Sequence, residues 1–110
     1  MRTYADLCAA VRSTGVRYYR VGRDADDTSE VPMPFCLIVP EDSEDVMADG
    51  SNYTKATSYR VELYERGSRL DLERSFEDAL EAAGFPYTRR CVPLEHGVVE
   101  MAYYLTVLGR

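Results

Sequence analysis

A chain of 110 residues that is 45% hydrophobic and 29% charged can bury a core as one domain spanning residues 1–110, and its composition is that of a globular domain and argues against wholesale disorder. No apolar run approaches the ~20 residues of a membrane-spanning helix, and the opening MRTYADLCAAVRS lacks the continuous apolar stretch of a secretory signal, so a cytosolic site of synthesis and no membrane partner are expected. The net charge of −6 is uneven: from Asp24 to Thr54 there are nine acids and no lysine or arginine, which disfavours wrapping a nucleic-acid backbone, because that requires clustered cations.

Thr3 and Asp6 have the spacing of a capping box, and Tyr4, Leu7, Cys8 and Val11 then form the apolar stripe of a short helix that Gly15 closes. Val16 to Val21 is rich in β-branched and aromatic residues and reads as a strand, with arginines that suit a sheet edge. Gly22 to Val31 is acidic and aperiodic, as expected of a loop. Pro32 and Pro34 introduce the apolar run Phe35 to Val39, a strand that Pro40 is expected to stop because proline donates nothing to a ladder. Glu41 to Asp45 reads as an acidic loop, and Val46 to Tyr53 as a hairpin turning at Asp49-Gly50.

Tyr59, Val61 and Leu63 alternate with polar neighbours in a long strand over Lys55 to Tyr64. After a turn at Glu65 to Ser68, the residues Leu72, Phe76, Ala79, Leu80 and Ala83 recur at helical steps, with Ser68 and Asp71 as a second capping box and Gly84 as the terminator. Tyr87 to Val92 and Val98 to Val107 complete the strands; in the last, Val99, Met101, Tyr103, Leu105 and Val107 share one face. The expected fold is α+β, with two helices packed on one face of a mainly antiparallel four- to five-stranded sheet.

Chemistry is sparse in this pattern. His96 beside Glu95 lies in an expected turn without an orienting partner, which argues against general acid–base work. Cys8, Cys36 and Cys91 lack metal-ligand spacing and read as buried, reduced thiols. No glycine-rich phosphate loop occurs, and the acidic stretches do not follow the calcium-loop pattern, so neither cofactor nor metal is expected. The nine tyrosines suit sheet packing and protein contact better than base stacking, because a stacking platform normally comes with a basic groove.

The order of short motifs points further. Pro32-Met33-Pro34-Phe35-Cys36-Leu37-Ile38-Val39-Pro40, then Ala48-Asp49-Gly50-Ser51-Asn52-Tyr53-Thr54-Lys55, then Val61-Glu62-Leu63-Tyr64, and finally Gly84-Phe85-Pro86-Tyr87 and Glu100-Met101-Ala102-Tyr103-Tyr104 resemble the tail terminator, or tail completion, family of siphophages and prophages. The acidic insertion Arg23 to Glu30 and the segment Arg17-Tyr18-Tyr19-Arg20 depart from the family pattern. The resemblance implies a non-enzymatic virion protein, assembled in the bacterial cytoplasm. Its subunits would form a ring, commonly a hexamer, that caps the head-proximal end of the tail tube, stops its polymerisation and meets a head-completion or connector protein.

A ring through which DNA passes without specific binding should present acids to the lumen, because fixed cations would hold phosphates. Glu41, Asp42, Glu44, Asp45 and Asp49 are the candidate lumenal acids. A closed ring also needs a heterologous interface, for which Arg60, Glu62, Arg66 and Tyr53 are candidates. Alternative readings are a head-tail connector or other minor tail component, a small-molecule-binding or enzymatic α+β domain centred on His96 and Glu95, and a host-directed regulatory protein.

Overall fold

Residues 2–21, 32–48 and 52–109 are described by a computed structural model of the chain, with the backbone alone at 47, 48, 52 and 53. The elements are α1 (Tyr4–Ser13), β1 (Arg17–Arg20), β2 (Phe35–Ala48), β3 (Asn52–Arg66), α2 (Leu70–Ala82), β4 (Thr88–Pro93), a 3-10 turn (Glu95–Gly97) and β5 (Val98–Leu108). The five strands form one sheet in the order β1-β2-β3-β5-β4, antiparallel except for the β1–β2 pair. The arginine-bearing β1 does lie at an edge, as its composition implies.

Period-two alternation decides which face is covered. Cys36 and Ile38 of β2, Tyr59, Val61 and Leu63 of β3, and Met101, Tyr103, Leu105 and Val107 of β5 are buried together with Leu7 and Val11 of α1 and Phe76 and Leu80 of α2. Both helices therefore cover the same side of the sheet. Each fully buried large side chain contributes about 1.5–3 kcal/mol, and the ring of Phe76 stacks on that of Tyr103 with centroids 5.5 Å apart. The cis peptide Met33–Pro34 precedes β2.

Two of the expected helix boundaries form as the sequence implies and one does not. The Thr3 hydroxyl accepts from the Asp6 N–H, and the Asp6 carboxylate accepts from the Thr3 N–H, closing a full capping box. Gly84 ends α2 at φ +84°, with the Gly84 N–H bonded to the Glu81 carbonyl and the Phe85 N–H to the Leu80 carbonyl, the Schellman pattern. The second capping box, however, does not form. The N-cap of α2 is Arg69, without a side-chain cap bond, and Ser68 instead donates to the carboxylate of Glu73 at 2.8 Å. Glu73 is buried and needs a donor, which Asp71 in solvent does not.

The acidic stretch after Pro40 is also corrected from loop to strand. β2 continues through it to Ala48, paired with β3, with a register shift between Pro40 and Ser43. There Glu41 and Asp42 oppose Ser58 alone, the two-against-one count of a β-bulge. Proline is tolerated because β1 pairs with β2 only as far as Ile38, so the flank of β2 beyond it has no ladder from β1 to interrupt. The expected Asp49-Gly50 turn, Asp49 itself and the loop from Gly22 to Val31 lie outside the described residues.

Candidate functional site

Two surface features carry the polar chemistry of the described chain. The first is the two-stranded ribbon formed where β2 and β3 run beyond the rest of the sheet. The pairing of β3 with β5 begins only at Ala56, opposite Leu108, so among the described residues Val46 to Ala48 and Asn52 to Thr54 have no third strand paired beside them. The long axis of the molecule, 51 Å against 27 and 21 Å for the others, reflects these 14- and 15-residue strands. Every side chain from Glu41 to Val46 is exposed. Asp45 pairs with Lys55 at 2.5 Å, both well exposed, while Asp42 and Glu44 project from the bulged strand. The ribbon contributes negative potential rather than core packing.

The second feature lies on the sheet face that the helices leave uncovered. Even-numbered residues of β3 and β5 point there, bringing Arg60, Glu62 and Tyr64 beside Glu100, Ala102 and Tyr104. Glu62 accepts from Arg60 Nε at 2.6 Å and from the Tyr64 hydroxyl at 2.8 Å. Arg60 Nη1 also reaches Glu41 Oε2 at 2.7 Å, which ties the root of the ribbon to the face. Tyr64 stacks on Phe35 with centroids 4.9 Å apart. Glu62, one of the polar residues that alternate with the core side chains of β3, is only 7% exposed, because it is set between Leu37 and Ala102 on the flanking strands.

The electrostatics of this face are tight. Burial and the Glu62 carboxylate push Glu100 up to about 7. Burial and the hydrogen bond to Glu62 push the Tyr64 phenol well above its ordinary range, so it remains a donor at all physiological pH values. The hydrogen bond to Glu62 raises Arg60 further. Such a network can hold a complementary polar surface in register; it offers no nucleophile.

The remaining candidates fall elsewhere. Arg66 ends β3 and donates from Nη1 to the His96 carbonyl at 3.4 Å, tying the turn after β3 to the 3-10 turn. Tyr53 lies in the ribbon, paired by backbone with Met47. The structure thus unites Arg60, Glu62 and Glu41 and leaves Arg66, Asp42, Glu44 and Asp45 apart from them. His96 and Glu95 are almost fully exposed, with side chains 4.0 Å apart, and the imidazole has no buried orienting group. Among the cysteines, Cys36 is buried, its thiol pushed up by burial. Cys8 is half-buried and Cys91 is exposed, contrary to the expectation of three interior thiols; Cys91 sits on edge strand β4, where most side chains are exposed. Among the described residues no group of three His, Cys, Asp or Glu side chains is placed to hold a metal ion, and no helix is long and apolar enough to cross a membrane.

Two further carboxylates are buried on the covered side of the sheet. Glu65 is 0% and Glu73 1% exposed. The phase of β3 does carry the signal, since residue 65 follows 59, 61 and 63 on the covered face.

No protein-family profile and no curated protein matches this chain. Among solved structures, a chain of the virion of a native gene transfer agent particle is similar, with a TM-score of 0.63 at 12% identity over 96% of this chain and 89% of that one. At that identity the likeness establishes a common fold.

Proposed function

We propose that this chain is a structural protein of a phage-like virion, acting through surfaces rather than through a catalytic centre. The observation that supports this reading is the likeness of fold over nearly the whole chain to a component of a gene transfer agent virion. The finer assignment is a tail terminator: a ring, commonly of six subunits, that caps the head-proximal end of the tail tube and offers the head-joining surface. Its support is the ordered series of motifs from Pro32 to Tyr104.

In this reading the ribbon acids Glu41, Asp42, Glu44 and Asp45, with Asp49, face the channel, where negative charge keeps passing DNA from sticking. The face holding Arg60, Glu62 and Tyr64, with Arg66 and Tyr53, contributes to subunit contact, and the free edges of the sheet suit a heterologous joint. The partners are further copies of the chain, the tail tube protein and a head-completion protein. Deletion of the gene in a particle-producing host, followed by electron microscopy, tests the assignment. Overlong tails support a terminator; unjoined heads and tails of normal length identify a connector instead; normal particles reject both.

A further inference from the structure

Where β3 hands over to α2, two carboxyl groups are buried against one another. Strand alternation puts Glu65 into the covered face after Val61 and Leu63, and the inward side of α2 carries Glu73 three residues before Phe76. The two carboxyl groups are close enough to influence one another's ionisation, and they are linked through the Ser68–Arg69 turn, which gives a donor to each. Glu65 Oε1 accepts from the Arg69 N–H at 3.0 Å. Glu73 Oε2 accepts from the Ser68 hydroxyl at 2.8 Å, and Glu73 Oε1 from Arg89 Nη2 at 3.3 Å. Glu65 Oε2 is buried with no hydrogen-bond partner.

The surrounding charges do not balance two anions. From β4, Arg89 is shared between Glu73 and Glu77, the latter at 3.4 Å. From β5, Tyr103 directs its hydroxyl to Glu77. The Arg69 guanidinium is turned to Asp71 at 3.6 Å; it makes no hydrogen bond to Glu65, which it lowers only weakly through its charge, and its backbone N–H supplies the hydrogen bond. A buried acceptor without a donor, near a second carboxylate, is costly, and a proton on that oxygen would replace repulsion with a donor to the neighbouring acceptor.

We propose that Glu65 and Glu73 share one proton, carried on Glu65 Oε2 and donated to Glu73, and that this pair is a pH-operated latch holding the first turn of α2 against the end of β3. Burial pushes Glu65 up to about 7, with the contact to Glu73 adding to it. Burial also acts upward on Glu73, but the hydrogen bonds from Glu65 and Ser68 and the charge of Arg89 outweigh it and lower its value. The folded pair therefore keeps a proton that an ordinary glutamate, at 4.5, has released. The latch is closed in mildly acidic solution and opens as pH rises through about 7.

The test is a carbon-detected NMR titration of the side-chain carboxyls in the wild-type chain and in Glu65→Gln, with amide hydrogen exchange from Ser68 to Ser75 on both. Glutamine keeps an acceptor for Arg69 and supplies a neutral donor to Glu73. The expected result is that the assigned Glu65 carboxyl titrates near neutrality. Exchange in the first turn of α2, corrected for its intrinsic pH dependence, should rise several-fold between pH 6 and 8 in the wild type and stay flat in the variant. Titration of Glu65 in the ordinary carboxylate range overturns the proposal, as does exchange with the same pH profile in both proteins. If Glu65→Gln does not fold, the wild-type titration decides alone.

Discussion

The Tyr103 hydroxyl donates to Glu77 Oε2 at 2.8 Å, fastening the centre of β5 to α2 while the same ring packs between Phe76 and Tyr87. Core aromatic and polar tie are one residue. Tyr103→Phe keeps the ring and removes the donor. Glu77 retains Arg89 and some solvent contact, so the loss should lie near a typical net hydrogen bond, about 1 kcal/mol, read from urea unfolding with an unchanged slope.

Truncating the partner ring is a harsher change. Phe76 is 1% exposed and belongs to the central cluster, and Phe76→Ala leaves a cavity under α2 that the sheet cannot close. The expected cost is about 3–5 kcal/mol, and Phe76→Asp should prevent folding outright. A circular-dichroism melt of Phe76→Asp that overlays the wild type would show that α2 does not pack as described.

These core residues are the part of the fold most legible in the sequence, because Tyr59, Val61, Leu63, Phe76 and Leu80 obey simple periods and nothing competes with them. Glu65 and Glu73 occupy the same phases, yet a carboxylate counts as polar in any pattern, and its burial depends on partners such as Ser68 and Arg89 that are distant in strand order or local only by chance. Glu62 is hidden from a sequence reading for a related reason: its neighbours Leu37 and Ala102 come from other strands. Pro40 reads as a stop only while β2 is assumed to need partners on both sides. Of the candidate contact residues, Arg60 with Glu62 is a strand i, i+2 pair that sequence places on one face, whereas the reach of Arg60 to Glu41 depends on the bulge.

The capping box of α1 gives a modest and specific test. Thr3→Ala removes the acceptor for the Asp6 N–H, at 3.2 Å, and leaves Asp6 bonded to the backbone of residue 3. A loss of about 1 kcal/mol is expected. Thr3→Ser should restore most of it, since serine presents the same oxygen; equal stability of the alanine and serine variants would mean that the hydroxyl bond contributes nothing.

In the ribbon, stability can be tested separately from the proposed lumenal role. Asp42, Glu44 and Asp45 are exposed, and the Asp45–Lys55 pair lies in solvent, where such pairs contribute about 0–1 kcal/mol. Changing all three to Asn should therefore leave the melting temperature of the isolated protein within a few degrees of wild type. In a particle-producing host the same triple change should lower DNA delivery while tail length stays normal. Unchanged infectivity would remove the acids from any role in DNA passage, and a large fall in melting temperature would mean that the ribbon packs more tightly than its exposure implies.

On the uncovered face, Glu100 provides a pH-dependent measurement that is independent of the Glu65–Glu73 pair. Burial and the neighbouring Glu62 hold its folded value up to about 7, above the ordinary 4.5, so folding takes up a proton between these values and stability falls as pH rises through that window. Above it, Glu100 is ionised beside Glu62 in the folded state and the repulsion is fully expressed. Glu100→Gln removes the charge and can still donate to Glu62. The variant should match the wild type near pH 4.5 and melt higher at pH 8, the difference growing between the two. If the face is a subunit contact, a partner surface that brings a cation to Glu100 would lower its value again, so the advantage of glutamine at pH 8 should shrink or reverse in assembled particles. Thermal melts of the free chain and of purified particles at the two pH values compare these outcomes directly, and an advantage of equal size in both would place Glu100 away from any cation of a neighbour.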